Sequence, residues 1–456
     1  MNLHAMLTRR AEEGRPLRVG LIGAGKFGAM FLSQIRLTPG LHLLALADLD
    51  VDRARRAFAA TGWPEEAYGA ASAAKALAQG TTWITDDAEA MIRSGGLDVV
   101  VEATGDTEAG VRHALACFER GRDLVMVNVE TDAMVGPALA KRAEDAGVVY
   151  SMASGDQPAL IHELVDWART IGVDVVAAGK GTLYMPEFHA STPETVWDHY
   201  GLTPERAAES GMNAKMFNSF LDGTKSSIEM AAVANACDLE PPKDGLAFPP
   251  CGTGHLASTL IPKADGGVLD AKGQVEVISS RNRDGKDITD DLRWGVYVTF
   301  EAPTEYVERC FADYGLVTDV SGRYSALWRP YHLIGLELGV SVAMAGLMHQ
   351  AAGVATTWKG DVVATAKRDL KSGEVLDGEG GFTVWGKLMP AADSLAIGAV
   401  PIGLANRVTL KSSIPEGTVV RWRDVVAPED TTALALRREM ENTLGSGLVG
   451  RMAKSA

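Results

Sequence analysis

Apolar residues in the first third of the chain fall in short unbroken runs, set between stretches whose apolar positions recur at helical spacing. Leu17–Ile22 and Leu41–Ala47 are such runs, and 98–101, 124–129 and 148–152 repeat them. Between them, 54–60 and 137–145 carry helical patterns. A strand that is hydrophobic without alternation is buried on both faces, and the intervening helices supply the cover. The pattern predicts a doubly wound α/β domain with a parallel sheet over 1–154.

Beyond 155 the rhythm changes. Pro241-Pro242, Pro249-Pro250 and Gly266-Gly267 cut the chain into short pieces. An α+β catalytic and dimerisation domain is expected over 155–331, with strands near 174–178 and 294–300 and a helix over 226–236. The small and apolar residues of 332–352 predict a helix, within a segment 332–356 that packs back on the first domain. A small β-rich module is expected over 357–430, from the Val362-Val363-Ala364-Thr365 run and the Gly turns at 373 and 417. The tail, 431–456, is expected to be helical or frayed.

Charge narrows the partners. Lys plus Arg number 44 against 59 Asp plus Glu, a net charge of -15, which argues for a small-molecule ligand and against a nucleic-acid track. Cys117, Cys237, Cys251 and Cys310 stand far apart without metal-ligand spacing, as in a reducing compartment. No apolar run reaches the ~18 residues of a membrane span, and the charged N-terminus lacks a signal-peptide core. The expectation is a cytoplasmic enzyme with no membrane partner, and a homodimer by base rate.

Gly23-Ala24-Gly25-Lys26-Phe27-Gly28 is a G-x-G-x-x-G placed after a strand and before a helix, and Asp48 closes the next strand. That context makes it a Rossmann dinucleotide fingerprint: glycines for the tight turn and close approach, and a helix N-terminus for the pyrophosphate. Asp48 suits a ribose 2′-hydroxyl and favours NAD; Arg53, Arg55 and Arg56 read first as an exposed helix face and second as a clamp for a 2′-phosphate, so NAD and NADP both stay open. Ala103-Thr104-Gly105 and Asn128 end later strands, where the nicotinamide half is expected.

The chemistry is expected in the second domain. Lys180 lies between Gly179 and Gly181 at a strand end, with room for a ligand as one reading of the glycines. Asp222-Gly223-Thr224 reads as a turn opening a helix, with Thr224 as its cap. Thr224, Ser226, Ser227 and free amides there suit a phosphate or carboxylate. Lys225 and Glu229 share a helix face, as a surface pair or as a functional one. Lys180, Lys225 and Glu229 are the candidate catalytic groups; Asn213, Lys215, Thr224, Ser226, Ser227 and His255 are candidate substrate ligands. His189 and His332 are further proton-transfer candidates. Glu130, Asp156, Glu163 and Asp222 are available to a divalent metal, though their spacing does not demand one.

With Gly23–Gly28 and Ala103-Thr104-Gly105, the first domain resembles the homoserine dehydrogenase superfamily. Gly155-Asp156-Gln157-Pro158, Arg329-Pro330-Tyr331-His332-Leu333 and the run from Asp369 to Gly381 extend the resemblance to 1-deoxy-D-xylulose 5-phosphate reductoisomerase-like oxidoreductases. The last run belongs to a module similar to SAF domains. The resemblance implies a ketose phosphate rearranged and then reduced by NADPH to 2-C-methylerythritol 4-phosphate, with Lys180 and Lys225 on the oxyanion and Lys215 or Thr224 to Ser227 on the phosphate. The Ser-Glu-His run of ordinary reductoisomerases is absent, so their metal ligands are not carried over. The Asn-Lys pair of homoserine dehydrogenases is absent too, where the chain reads Val127-Asn128-Val129-Glu130. A dehydrogenase of a small hydroxy acid or hydroxy amino acid is the alternative, and a dinucleotide-binding sensor without turnover is a third.

Overall fold

The structure, a computed structural model, describes residues 2–209, 212–427 and 429–445. Two compact units divide the chain: 1–160 with 332–356, and 161–331 with 357–456.

The first unit is built on β1 (Leu17–Ile22), β2 (Leu41–Ala47), β3 (Tyr68–Ala70), β4 (Thr82–Thr85), β5 (Val99–Glu102), β6 (Asp123–Met126) and β7 (Tyr150–Met152). Their order is β3-β4-β2-β1-β5-β6-β7, and the neighbouring strands pair in parallel. The chain leaves β1 toward β2 on one side and returns at β5 on the other, so the C-terminal ends of β1 and β5 flank the switch point. Residues 332–356 belong to this unit: Leu338, Val342 and Ala343 are fully buried in one cluster with Leu17, Val19, Phe31 and Val99. The helix expected over 332–352 is shorter, Leu338–Ala343 followed by a π turn over Met344–Met348. Gly335 accounts for the late start. Its φ is +68, and a Cβ there would meet the Phe27 carbonyl oxygen at 2.6 Å.

The second unit holds a mixed sheet of β8 (Asp174–Thr182), β9 (Gln274–Ser279), β10 (Val296–Glu301) and β11 (Tyr324–Arg329), in the order β11-β10-β8-β9. Two antiparallel pairs follow, β12 (Gly360–Ala366) with β14 (Val384–Pro390), and β13 (Val375–Asp377) with β15 (Asn406–Thr409). The Thr224–Cys237 helix has twelve of its residues buried, which explains its weak apolar and polar division: a helix covered all round has no solvent face to mark. Asn235 pins it, accepting from the Lys359 and Gly360 amides at 2.8 and 2.9 Å. Among the described residues no helix is long and apolar enough to cross a membrane.

Candidate functional site

A cleft of about 740 Å³ opens at the C-terminal ends of β1, β2 and β5, lined among others by Gly23, Gly25, Asp48, Arg53, Thr104 and His113. The three fingerprint glycines answer different demands. A Cβ on Gly23, whose φ is +101, would lie 2.6 Å from the Ala103 carbonyl oxygen, and one on Gly28 would lie 2.2 Å from that of Gly23. Both are imposed by the protein's own backbone. Around Gly25 nothing lies within 4 Å of the missing Cβ. Gly25 is also the N-cap of the Lys26–Ile35 helix, and no side chain caps the amides that follow. Bare amides above open space are a cradle that a side chain would fill, and they fit a pyrophosphate.

Asp48 is engaged more fully than the motif indicates. Its side chain is fully buried. Oδ2 accepts from the Ala24 amide at 2.7 Å and Arg53 Nε at 3.2 Å, and Oδ1 from the Asp50 amide at 2.8 Å and Arg53 Nη2 at 2.6 Å. A carboxylate has about four lone-pair positions, and protein donors fill all of them, leaving none for a ribose hydroxyl. The half-exposed Arg53 guanidinium faces the cleft beside it. Deeper in, buried Glu102 accepts from the Thr104 hydroxyl at 2.5 Å and lies 3.2 Å from His113 Nδ1, which fixes two lining side chains that the motif alone does not reveal. Asn128 is buried and caps the Val129–Ala146 helix, while its amide nitrogen donates to the Asp106 carbonyl at 2.8 Å. Lys26 and Phe27 open the Lys26–Ile35 helix, Phe27 packed against the core, and Gly105 takes a φ of +71.

In the second unit, Lys180 and Glu229 come together as a buried ion pair. Ligand room is not what the flanking glycines supply. A Cβ on Gly179 would lie 1.7 Å from the Glu276 carbonyl oxygen, and one on Gly181 2.0 Å from that of Leu292. Thr224 is not the helix cap either. Asp222 Oδ1 accepts from the Thr224 amide at 2.9 Å, and the Thr224 hydroxyl accepts from the Gly386 amide at 2.8 Å. Buried Lys367 lies 2.7 Å from Asp222 Oδ2. The anion-favouring helix start is therefore already filled by a carboxylate of the protein. Burial raises the Asp222 pKa against the pull of Lys367. Asn213 caps the Ala214–Leu221 helix, Lys215 donates to the Asp377 carbonyl, and His255 is exposed. Ser226 is buried and Lys225 half-buried.

Ser227 instead lines a cavity of about 200 Å³ with His189, Asp244, Phe248, Trp385 and Lys387. His189 is clamped: Nδ1 meets the Asp222 carbonyl at 2.7 Å, Nε2 the Tyr184 hydroxyl at 2.9 Å, and its ring stacks on Trp385 at 3.9 Å. Desolvation lowers its pKa, so the ring is neutral, donating from Nδ1 and accepting at Nε2. Phe248 stacks on Tyr184 at 3.9 Å and holds a φ of +51, strained for a side chain of this size. Buried Glu276 and exposed Arg283 fix its loop. The carboxylate accepts from the Ala247 and Phe248 amides at 3.1 and 3.3 Å, and the guanidinium donates to the two carbonyls at 3.0 and 2.8 Å. Trp385, Lys387 and Phe248 carried no sequence signal beyond the two-residue spacing that puts the first two on one face of β14.

No group of three His, Cys, Asp or Glu side chains able to hold a metal occurs among the described residues. Of the carboxylates read as available, Asp222 is engaged by Lys367, and Asp156 accepts from the Gln157 amide.

Residues 155–338 match a family model described as the catalytic domain of oxidoreductase DRL. No curated protein matches the sequence. Among solved structures, the chain is similar to scyllo-inositol dehydrogenase from Lactobacillus casei with bound NAD(H) and scyllo-inositol, at 11% identity over 62% of this chain and 73% of that one, with a TM-score of 0.33. It is also similar to DOX-P reductoisomerase with fosmidomycin and magnesium, at 16% identity over 49% and 58%, TM-score 0.34. Biliverdin reductase from Synechocystis sp. PCC 6803, in complex with biliverdin and NADP+, gives 16% identity over 43% and 55%, TM-score 0.27. Likenesses this distant carry nothing about activity.

Proposed function

We propose that this chain is an NAD(P)-dependent oxidoreductase that prefers NADPH and converts 1-deoxy-D-xylulose 5-phosphate to 2-C-methyl-D-erythritol 4-phosphate. The observation that carries the coenzyme half is the open cradle over Gly25, whose bareness no neighbouring protein atom requires. Saturation of Asp48 supports NADPH: with the carboxylate occupied, Arg53 is the group that meets the adenosine ribose, and its planar fork suits a 2′-phosphate. The match of 155–338 to an oxidoreductase catalytic domain supports the redox half.

Bound NADPH would supply the hydride. Overall, the ketose phosphate rearranges to a branched aldehyde, whose carbonyl carbon takes that hydride and whose oxygen takes a proton, giving the alcohol and NADP+. Lys180, held by Glu229 away from water, is assigned to the oxyanion and its proton, with Lys225 as a second cation on the Thr224–Cys237 helix.

The carboxylates favour a second reading. Skeletal rearrangement draws on Lewis-acid assistance, and no group of three ligating side chains stands ready for a metal among the described residues. A one-step dehydrogenase of a small hydroxy acid or hydroxy amino acid needs only acid–base chemistry. Purified protein with deoxyxylulose phosphate and NADPH, with Mg²⁺ or Mn²⁺ and without, separates the two. No coenzyme consumption above a Lys180→Ala control rejects the reductoisomerase, and turnover of homoserine with NADP+ selects the dehydrogenase. NADPH binding without turnover of either would identify a sensor.

A further inference from the structure

The geometry points to a seat for the oxyanion head, phosphate or carboxylate, of a small hydroxylated ligand in the cavity between Ser227, Phe248 and the Trp385/Lys387 face of β14. This deepens the reading above and rests on it only for the claim that the occupant is the substrate.

Lys387 carries the case. Three other shielded lysines of the second unit have carboxylate partners: Lys180 has Glu229, Lys367 has Asp222, and Lys359 has Asp238 and Glu240. Lys387 is half-buried, yet its side chain makes no hydrogen bond or ion pair among the described residues. Its stem lies across Gly245, where a Cβ would stand 2.9 Å from its Cε. A half-shielded cation facing a cavity is placed to donate a charge-assisted hydrogen bond to an incoming oxyanion.

The walls agree in chemistry. Ser227 is buried on the cavity wall, where a hydroxyl can donate to an oxyanion. Asp244 lines the same cavity and forms no ion pair with Lys387, so cation and carboxylate face the space separately. The first is left for an anion and the second for ligand hydroxyls. His189 has both ring nitrogens engaged and is neutral, so it adds a flat wall with Trp385 rather than a competing charge. Opposite, Phe248 is held in a left-handed conformation by two charged side chains, and strained backbone of this kind is retained where a ligand site needs it. At about 200 Å³ the space admits a small molecule and excludes a dinucleotide.

Calorimetry on the full chain tests the seat, with deoxyxylulose phosphate as the phosphate-bearing arm and D-gluconate as the carboxylate-bearing arm. One of the two is expected to bind, and the arm that does identifies the head group. Lys387→Ala should weaken that ligand by about tenfold or more, since one charge-assisted hydrogen bond is lost. Lys387→Arg should restore most of the affinity, and Ser227→Ala should cost a smaller factor. NADPH affinity and melting temperature should match the parent in each variant, which shows that the fold is intact. Lys387-dependent binding without NADPH turnover keeps the seat and rejects the reductoisomerase. Turnover with a KM unmoved by Lys387→Ala, or neither ligand binding the parent, overturns the seat.

Discussion

At the residue scale, Gly25 and Gly28 look alike in the motif and differ in the fold. Filling the space over Gly25 strains nothing in the protein, so Gly25→Val should leave the melting temperature close to the parent while abolishing NADPH binding, read by coenzyme fluorescence. Gly28→Ala should do the reverse first: its Cβ would enter the Gly23 carbonyl, and overpacking of this kind costs ~1–3 kcal/mol. Arg53 gives a second test. Arg53→Ala removes a cation facing the cleft and frees two acceptor positions on Asp48. NADPH should bind about tenfold or more weakly while NADH holds or gains, because one charged contact is lost and a ribose acceptor appears. An unchanged NADPH-to-NADH ratio would refute Arg53 as the discriminator. The fingerprint and its acidic partner were legible because they are local. That the partner is saturated was not, since it depends on which way Arg53 folds back.

At the element scale, legibility followed burial. β1, β2 and β5 are mostly apolar, interrupted only by Arg18, His42 and Glu102, and could be read directly, whereas β3 and β4, with their Gly and Thr content and partial exposure, carry no hydrophobic run. The Thr224–Cys237 helix was visible, but its cap was not, because Asp222 is fixed by Lys367 from a distant segment. The same dependence shapes the 247–248 loop, whose anchor Glu276 lies on β9. Burial pushes the Glu276 carboxyl up to about 7, against an ordinary value of 4.5. Between those values the folded chain holds a proton that the unfolded chain has released, so this group's contribution to stability falls as pH rises from about 4.5 through about 7. Glu276→Gln keeps an acceptor for the two amides and removes the titration. In thermal melts from pH 5 to 8, the variant should lose less stability than the parent; parallel curves would mean that Glu276 ionises freely in the fold.

At the scale of the whole molecule, the two candidate sites differ in how the chain assembles them. The coenzyme cradle is written within one strand–turn–helix, and a linear motif exposes it. The second-unit cavity draws on residues 189, 227, 244, 248, 385 and 387, whose proximity exists only after β14 has packed on the Thr224–Cys237 helix. No spacing rule reaches across such separations. The first unit has its own long-range requirement, because 332–356 returns to complete its core. Leu338 and Val342 are fully buried there, and each such side chain is worth roughly 1.5–3 kcal/mol of burial, a large share of a domain's net stability. The ends to be joined are close, since a Cβ on Gly155 would stand 2.5 Å from the Leu333 carbonyl oxygen. A chain of 1–160 linked by a short Gly-Ser segment to 332–356 should therefore melt cooperatively and bind NADPH, whereas 1–160 alone should do neither. If 1–160 alone binds NADPH as well as the linked chain, the returning segment is a cover for the coenzyme unit and not part of its core.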